Sequence, residues 1–527
     1  MEQRLLPGYV RRGHDRILAE AVREAQQGHS RMLVLTGESS TGKTRACWEA
    51  VQPLAASEWR LWHPFDPTRA EAALEELHRV GSHTVVWLNE AHHYLGDLAA
   101  GERIAAAVHH LLTSPQRGPV LVLGTLWPHY LADYTTLPGP RGPDPYSRVR
   151  ELLAGRTVSV PDTRDLAAAT TLAEAGDRLL ADALTRARAD GRLTQDLAGG
   201  PALLERYHAG SPAAKAVLKA AMDACRLDVG LHLPQAFLTD AATDYLHDTD
   251  WNQLTDDWAE RAYAELAAPV HGKQAPLSRV TPRPQRRPPG PPTPAEVPSL
   301  RPSGPVFRLA DYLEQHGRTT RRHLCPRASF WHAAHAHLTR PEDLDNLTWA
   351  AEKRYRLQWA HHLRLRAAGH DSTTALVRLA EMRERAGDRE SAETLARQAA
   401  DHGHTTALFR LAKIRERAGN PEGAETLYRQ AADHSNTEAL YRLAEMREEV
   451  GDREGAETLH RQAADHGNTE ALYRLAEMRE RAGDREGAEI LARQVADHGH
   501  IDALFHPECK RLWPHGLDPD GTPTLRW

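Results

Sequence analysis

The segment MLVLTGESSTGKTRACWEA, residues 32–50, sets Gly-x4-Gly-Lys-Thr between an apolar run and a stretch with helical spacing. A strand leading into a helix through such a loop can hold a polyphosphate. Gly37 and Gly42 let the backbone fold round phosphate oxygens, and the amides of Glu38, Ser39, Ser40, Thr41 and Arg45 lie where negative charge gathers at a helix start. Lys43 can reach the terminal phosphates, and Thr44 Oγ can coordinate the accompanying Mg²⁺. The expected ligands are ATP or ADP with Mg²⁺; a flexible glycine turn is the bland alternative. Lysine occurs only at positions 43, 215, 219, 273, 353, 413 and 510, so the placement of Lys43 is informative.

A phosphate site of this kind needs an acidic residue at the end of a second buried strand. HTVVWLNEAHHYL supplies the strand but ends it in Asn89-Glu90. Asparagine can accept from Thr44 or from a metal-bound water, making Asn89 an indirect Mg²⁺ partner, but it brings no charge. Glu90 reads either as the carboxylate that orients or deprotonates an attacking water, or as a solvated strand-end residue. Thr125, in LVLGTLWP, reads either as a polar sensor of the γ-phosphate or as a strand-end hydroxyl bonded to backbone. His92 and His93 read as loop residues near the nucleotide, and EAHH is not the HExxH of a zinc protease.

Residues 31–160 alternate short apolar runs with helix-like segments, which predicts a parallel sheet with crossover helices. Strands are expected at Met32–Thr36, Arg60–His63, Thr84–Asn89, Pro119–Thr125 and Arg156–Val160, with helices near 43–54, 68–80, 102–113 and 145–153. One strand intervenes between the glycine loop and the Asn89-Glu90 strand. The latter should therefore lie beside the loop strand or one place removed, an order that resembles the additional-strand class of P-loop NTPases. From Asp165 to about Leu266 the chain is rich in alanine and leucine, with helical spacing and no convincing strand. Residues 276–305 hold eleven prolines and are expected to give no regular ladder. They read either as an interdomain linker or, with SRVT before and PVFRLADYLEQHG after, as the tip of a hairpin.

The C-terminal third repeats itself with a period of 32 residues: 373–404, 405–436, 437–468 and 469–500. Each unit predicts two helices. Gly387, Gly419, Gly451 and Gly483 stop the first, and Asp388, Asn420, Asp452 and Asp484 cap the second. One such pair cannot bury its apolar stripe alone, whereas stacked pairs share a core, so a solenoid follows. These units resemble tetratricopeptide and Sel1-like repeats over roughly 345–505. In tetratricopeptide proteins the position of Val377, Phe409, Tyr441 and Tyr473 faces the concave groove, near Glu384, Glu416, Glu448 and Glu480. Those side chains read either as a peptide-binding surface or as a solvated face with i,i+4 ion pairs.

With GESSTGKT, VVWLNE and the Gly199-Gly200-Pro201 turn in LAGGPALLERY, the chain resembles a signal-transduction ATPase of the STAND type. The resemblance implies a multidomain fold: an α/β P-loop NTPase with a parallel sheet (1–162), an α-helical lid (163–272), a winged-helix remnant carrying the proline-rich segment (273–344), an all-α tetratricopeptide-like solenoid (345–505) and a tail (506–527). It also implies nucleotide contacts by Val10, Arg11 and Pro201, homo-oligomerisation on activation, and an arginine finger at Arg150 or its neighbour Arg148, which read otherwise as helix-surface arginines in solvated pairs. Asn89 replaces the family's aspartate, and GTLWPHY lacks the arginine often found after the fourth strand, so slow hydrolysis is expected. A non-hydrolysing, ATP-binding scaffold for protein interaction is the alternative.

A formal charge of −6 argues against general attraction to nucleic acid or an anionic membrane. Four cysteines without a CxxC pair fit a reducing cytosol better than a disulfide framework. The first residues lack the apolar core of a secretory signal, and no apolar run approaches the ~20 residues of a membrane helix, so a cytoplasmic protein is expected. His323, Cys325, His332, His335 and His337 match no standard zinc spacing; with 31 histidines in the chain, chance clustering accounts for them.

Overall fold

The computed structural model describes residues 9–63, 69–97, 100–138, 144–160, 166–174, 178–187, 193–270, 274–280 and 304–497, with a few positions beyond. The chain divides into two compact units, the first reaching Phe330 and the second running from Trp331 onward with the short segment Leu227–Val229.

The first unit opens with α1 (Gly13–Gln26), β1 (Arg31–Thr36), α2 (Lys43–Val51), β2 (Arg60–Trp62), α3 (Arg69–Glu76) and β3 (Thr84–Leu88). Then come α4 (His92–Leu95), α5 (Gly101–Thr113), β4 (Val120–Leu126), α6 (Pro128–Thr135), α7 (Ser147–Leu153) and β5 (Thr157–Ser159). The sheet is parallel, in the order β2-β3-β4-β1-β5. Alternation along each strand sorts side chains to two covered faces. Val34, Val86, Leu88, Val120 and Val122 pack with α3, α5 and α7, while Leu35, Val85, Trp87, Leu121 and Leu123 pack with α1 and α2. The strands are apolar on both faces for that reason, and each fully buried leucine contributes about 1.5–3 kcal/mol.

Helices α8 (Leu166–Glu174), α9 (Arg178–Ala187), α10 (Leu193–Ala198), α11 (Gly200–Ala209) and α12 (Pro212–Arg226) follow. Next are β6 (Leu233–Pro234), α13 (Gln235–Ala242), α14 (Asp248–Trp251), α15 (Trp258–Ala267), β7 (Leu277–Val280), β8 (Val306–Leu309) and α16 (Asp311–Thr320). One sequence expectation changes here: the stretch read as helical throughout contains β6. At the proline-rich stretch the hairpin reading holds over the plain linker, with Leu277–Val280 and Val306–Leu309 as its arms. β7 pairs antiparallel with β8 from Leu277↔Leu309 to Val280↔Val306, and β6 adds to the other edge of β8. Leu277 is buried, so a single apolar anchor holds β7 in the ladder although proline precedes it. The core of the proline-rich stretch, 281–303, lies outside the described residues.

α16 and α12 approach closely because Gly317 has no side chain: a Cβ there would lie 2.7 Å from Met222 Cβ. Asp223 of α12 is fully buried beneath this contact. It accepts from Arg321 Nε at 2.7 Å and Nη2 at 2.8 Å, from Arg226 Nε at 2.7 Å and from the Tyr245 hydroxyl at 2.5 Å.

The second unit is helical. α17 (Ala328–His337) enters it, and α18 (Pro341–Lys353) and α19 (Leu357–Ala368) pair ahead of the regular repeats. The repeats are α20 (Thr373–Arg385) with α21 (Arg389–Asp401), α22 (Thr406–Arg417) with α23 (Pro421–Asp433), α24 (Thr437–Glu449) with α25 (Arg453–Asp465), and α26 (Thr469–Arg481) with α27 (Arg485–Asp497). Gly387, Gly419, Gly451 and Gly483 take φ of +86°, +76°, +80° and +83°, the left-handed stop that glycine adopts most cheaply. The side chains of Asp388, Asn420, Asp452 and Asp484 accept from the amide three residues on. Ala380, Ala392, Ala412, Ala424, Ala444, Ala456, Ala476 and Ala488 are buried where helices meet.

Asn436 caps α24 by accepting from Ala439 N at 2.9 Å, and is itself buried. Asn436→Ala should lower stability by about 1 kcal/mol, read as a smaller urea midpoint with an unchanged slope.

Candidate functional site

β1 ends at Thr36, and the chain turns through Gly37–Gly42 into α2. Gly42 sits at φ +85° immediately before Lys43, a conformation costing other residues roughly 1 kcal/mol or more. A Cβ on Gly37 would meet Val160 O at 2.8 Å. Thr41 Oγ1 donates to Glu38 O at 2.9 Å, closing the loop on itself. Lys43 is buried, and its Nζ donates to Gly37 O and Glu38 O, each at 2.7 Å. The ammonium thus lies inside the loop.

Register brings the other candidates to the same edge of the sheet. β4 lies between β1 and β3, with Leu35 beside Thr125 and Leu88 beside Gly124. The three strands end together, so residues just beyond them share one crevice, the customary ligand position in an open α/β sheet. Thr44 Oγ1 donates to Asn89 Oδ1 at 2.9 Å, and Thr125 Oγ1 reaches the same oxygen at 3.3 Å. Thr125 Oγ1 in turn accepts from Glu90 N at 2.7 Å, and Thr125 O accepts from Ala91 N at 2.6 Å. These bonds hold Glu90 at φ +57°, an arrangement that costs about 1–2 kcal/mol and that surrounding contacts must maintain. Its carboxylate is 12% exposed and lies 3.6 Å from His92 Nε2.

For Mg²⁺, the donor set is two neutral oxygens. They are joined by a 2.9 Å hydrogen bond, so an ion on the Thr44 hydroxyl would have Asn89 as an indirect partner, through that bond or a bound water. Neither oxygen brings negative charge.

Arg11 is exposed, whereas its neighbour Arg12 donates from Nη1 to Thr41 O at 2.8 Å. Tyr9 donates to Asp15 at 2.6 Å, and burial followed by that carboxylate pushes the Tyr9 hydroxyl well above its ordinary range. Val10 packs against Ala169, Leu180, Ala183 and Leu193. Arg45 pairs with Glu49 at 2.6 Å and lies over the Tyr9 ring. Arg150 is engaged within its own chain, at 2.7 Å from Asp144 and 3.1 Å from Thr136 O, while the amide of Arg148 donates to Glu102. Pro201 lies in the first turn of α11, after Gly199 at φ +85°.

Sequence reasoning missed the part played by α16. Gln315 Oε1 accepts from Ser39 N at 2.6 Å in a buried contact, so a carboxamide oxygen occupies an amide of the glycine loop. The Tyr312 ring lies where a Cβ on Gly200 would be, at 2.7 Å, and Arg318 lies over the Tyr130 ring at 5.1 Å. Burial opposes the charge on Arg308, but Asp311, and more weakly Glu90 and Glu314, hold its pKa above the ordinary range. No local pattern marks Gln315, Arg308 or Arg12, because their partners are set by tertiary packing.

On the repeats, Phe409, Lys413, Glu416, Tyr441, Arg442 and Asn468 line a cavity of about 620 Å³. Several carboxylates read as a recognition face are bound internally: Glu384 to Arg415, Glu416 to Tyr428 and Arg442, and Glu448 to His460. In the histidine-rich stretch, Cys325 is exposed and the His335 ring lies 6.0 Å from that of His362. No helix among the described residues is long and apolar enough to cross a membrane.

The chain thus combines an N-terminal parallel α/β sheet with a C-terminal solenoid of helix pairs. A tetratricopeptide repeat family model matches residues 406–435. No curated protein sequence matches the chain. Among solved structures, a protective antigen of uropathogenic Escherichia coli displaying an SLR fold is 19% identical over 36% of this chain and 44% of its own, with a TM-score of 0.27. A Sel1 repeat protein from Oxalobacter formigenes is 16% identical over 32% of this chain and 77% of its own, at 0.25. A STAND protein with a tetratricopeptide repeat sensor from Pyrococcus horikoshii is 10% identical over 96% of this chain and 79% of its own, at 0.31.

Proposed function

We propose that this protein is a STAND-type P-loop NTPase: it binds ATP or ADP with Mg²⁺ at Gly37–Thr44 and uses the bound state as a switch, while its repeats receive a protein partner. The observation that carries the reading is the hydrogen-bonded series Thr44–Asn89–Thr125–Glu90, set beside Lys43 at the carboxyl ends of three adjacent strands.

In this reading, loop amides and Lys43 hold the phosphates, and Thr44 with Asn89 holds the ion, whose charge offsets that of the phosphates. Thr125 meets the γ-phosphate, and Glu90 accepts a proton from the attacking water. β6, β7 and β8 with α12, α13 and α16 form a winged-helix-like body, and α10–α11 serve as the lid. Gln315 then sits on the loop as the resting contact. Nucleotide moves the switch only through unequal affinity for the docked and undocked positions of α16. Asn89, lacking charge, favours a second reading in which ATP is bound as structure and not turned over.

Turnover of wild type against Glu90→Gln separates the two. A switch that hydrolyses ATP should lose roughly 100-fold or more in the variant, in line with removal of a general base. Equal, near-zero rates from both would leave the scaffold.

A further inference from the structure

Glu90, His92 and His93 bring one donor atom each to within 4.8 Å of one another. We propose that these three side chains form a binding site for a divalent transition ion of the zinc class, separate from the Mg²⁺ donors Thr44 and Asn89.

Two imidazoles and one carboxylate select Zn²⁺, Co²⁺, Ni²⁺ or Cu²⁺ over Mg²⁺ or Ca²⁺, which prefer oxygen alone. Three protein donors also leave a coordination position open. The donors are already oriented. Thr125 bonds both Glu90 N and Ala91 N, turning Glu90 to φ +57° and its carboxylate toward α4. The His92 ring is stacked on Tyr130 at 4.1 Å and 11° and lies 5.0 Å from Trp127, so its plane is fixed. The His93 ring is 4.1 Å from that of His92 and is less buried, giving an ion a way in.

Distances support closure round an ion. Two donors bound at about 2.0–2.1 Å in tetrahedral geometry lie about 3.3 Å apart. His92 Nε2 and Glu90 Oε2 are 3.6 Å apart, too long for a hydrogen bond and a few tenths of an ångström from what a shared ion needs. The His93 donor lies within 4.8 Å of the other two, so closure requires that ring to move. On the nucleotide reading above, and only on it, the ion would occupy the carboxylate needed as base and so hold hydrolysis down.

The test uses Co²⁺ alone, without nucleotide or Mg²⁺, so it is independent of whether ATP binds. Equilibrium dialysis and visible absorption are followed for wild type, His93→Gln and Glu90→Gln, with far-UV circular dichroism verifying the fold of each. His92 is left intact because it is part of the aromatic packing. Wild type should take up one tight equivalent with d–d bands, displaced by Zn²⁺, and both variants should lose that site by ~100-fold or more in affinity. Absence of a tight Co²⁺ equivalent in wild type, or its survival in either variant, overturns the proposal.

Discussion

Lys43→Ala should abolish retention of labelled ATP by the purified protein, raising Kd by about 100-fold or more in the presence of Mg²⁺. Lys43 Nζ now donates to Gly37 O and Glu38 O at 2.7 Å, so a phosphate oxygen needs only to compete for an ammonium already in place. A charged hydrogen bond contributes about 1.5–3 kcal/mol, and two lost together correspond to at least two decades of affinity. Filter binding or equilibrium dialysis reads the change, with circular dichroism verifying the fold. If wild type and variant take up ATP equally poorly, the nucleotide switch is lost and an adaptor of stacked helices is left.

Asp223→Ala should be the most damaging single change away from that loop. The substitution leaves Arg226 and Arg321, 3% and 13% exposed, facing each other without the carboxylate that serves both. Stranding buried charge in this way costs about 3–5 kcal/mol, or roughly 10 °C in the melting temperature of a unit this size. Burial alone would push the Asp223 carboxyl upward, but its guanidinium partners outweigh that and hold it below the ordinary range. With a depressed folded value, the stabilisation is fully present above the ordinary carboxylate range and is lost only as pH falls through the folded value. The gap between wild type and variant should therefore be constant from neutral pH to mild acid and narrow in strong acid. A melting temperature within 2–3 °C of wild type at neutral pH, roughly 1 kcal/mol, would contradict this account.

What could be read from sequence follows the range of the interactions. β1, β3 and β4 are legible because both faces of each strand are covered, leaving uninterrupted apolar runs at 32–35, 85–88 and 120–123. The helix pairs of the solenoid are legible because glycine stops and Asp or Asn caps act within four residues. β6 escapes notice because two residues carry no periodicity, whereas the β7–β8 arms are legible as one of two readings, the prolines between them dominating the local composition. Gln315 lies 276 positions from Ser39, and nothing in LEQHG announces a partner at that distance. Arg12 is a smaller case: the pre-loop segment is identifiable, but which of two adjacent arginines reaches Thr41 O depends on how α1 meets the sheet. The juxtaposition of Asn89 and Thr125 needed only the strand order, which the position of the intervening strand had narrowed to two arrangements.

The arginines joining successive units have a consequence for how such a chain changes over generations. Arg415 reaches Glu393, Arg447 reaches Glu425 and Arg479 reaches Glu457, always at a separation of 22 positions. Because every junction is made by the same pair, duplicating or deleting one unit recreates a compatible seam at the cut. The number of units can thus vary by unequal crossing-over without compensating substitutions, lengthening or shortening the displayed surface while the α/β half of the chain stays untouched.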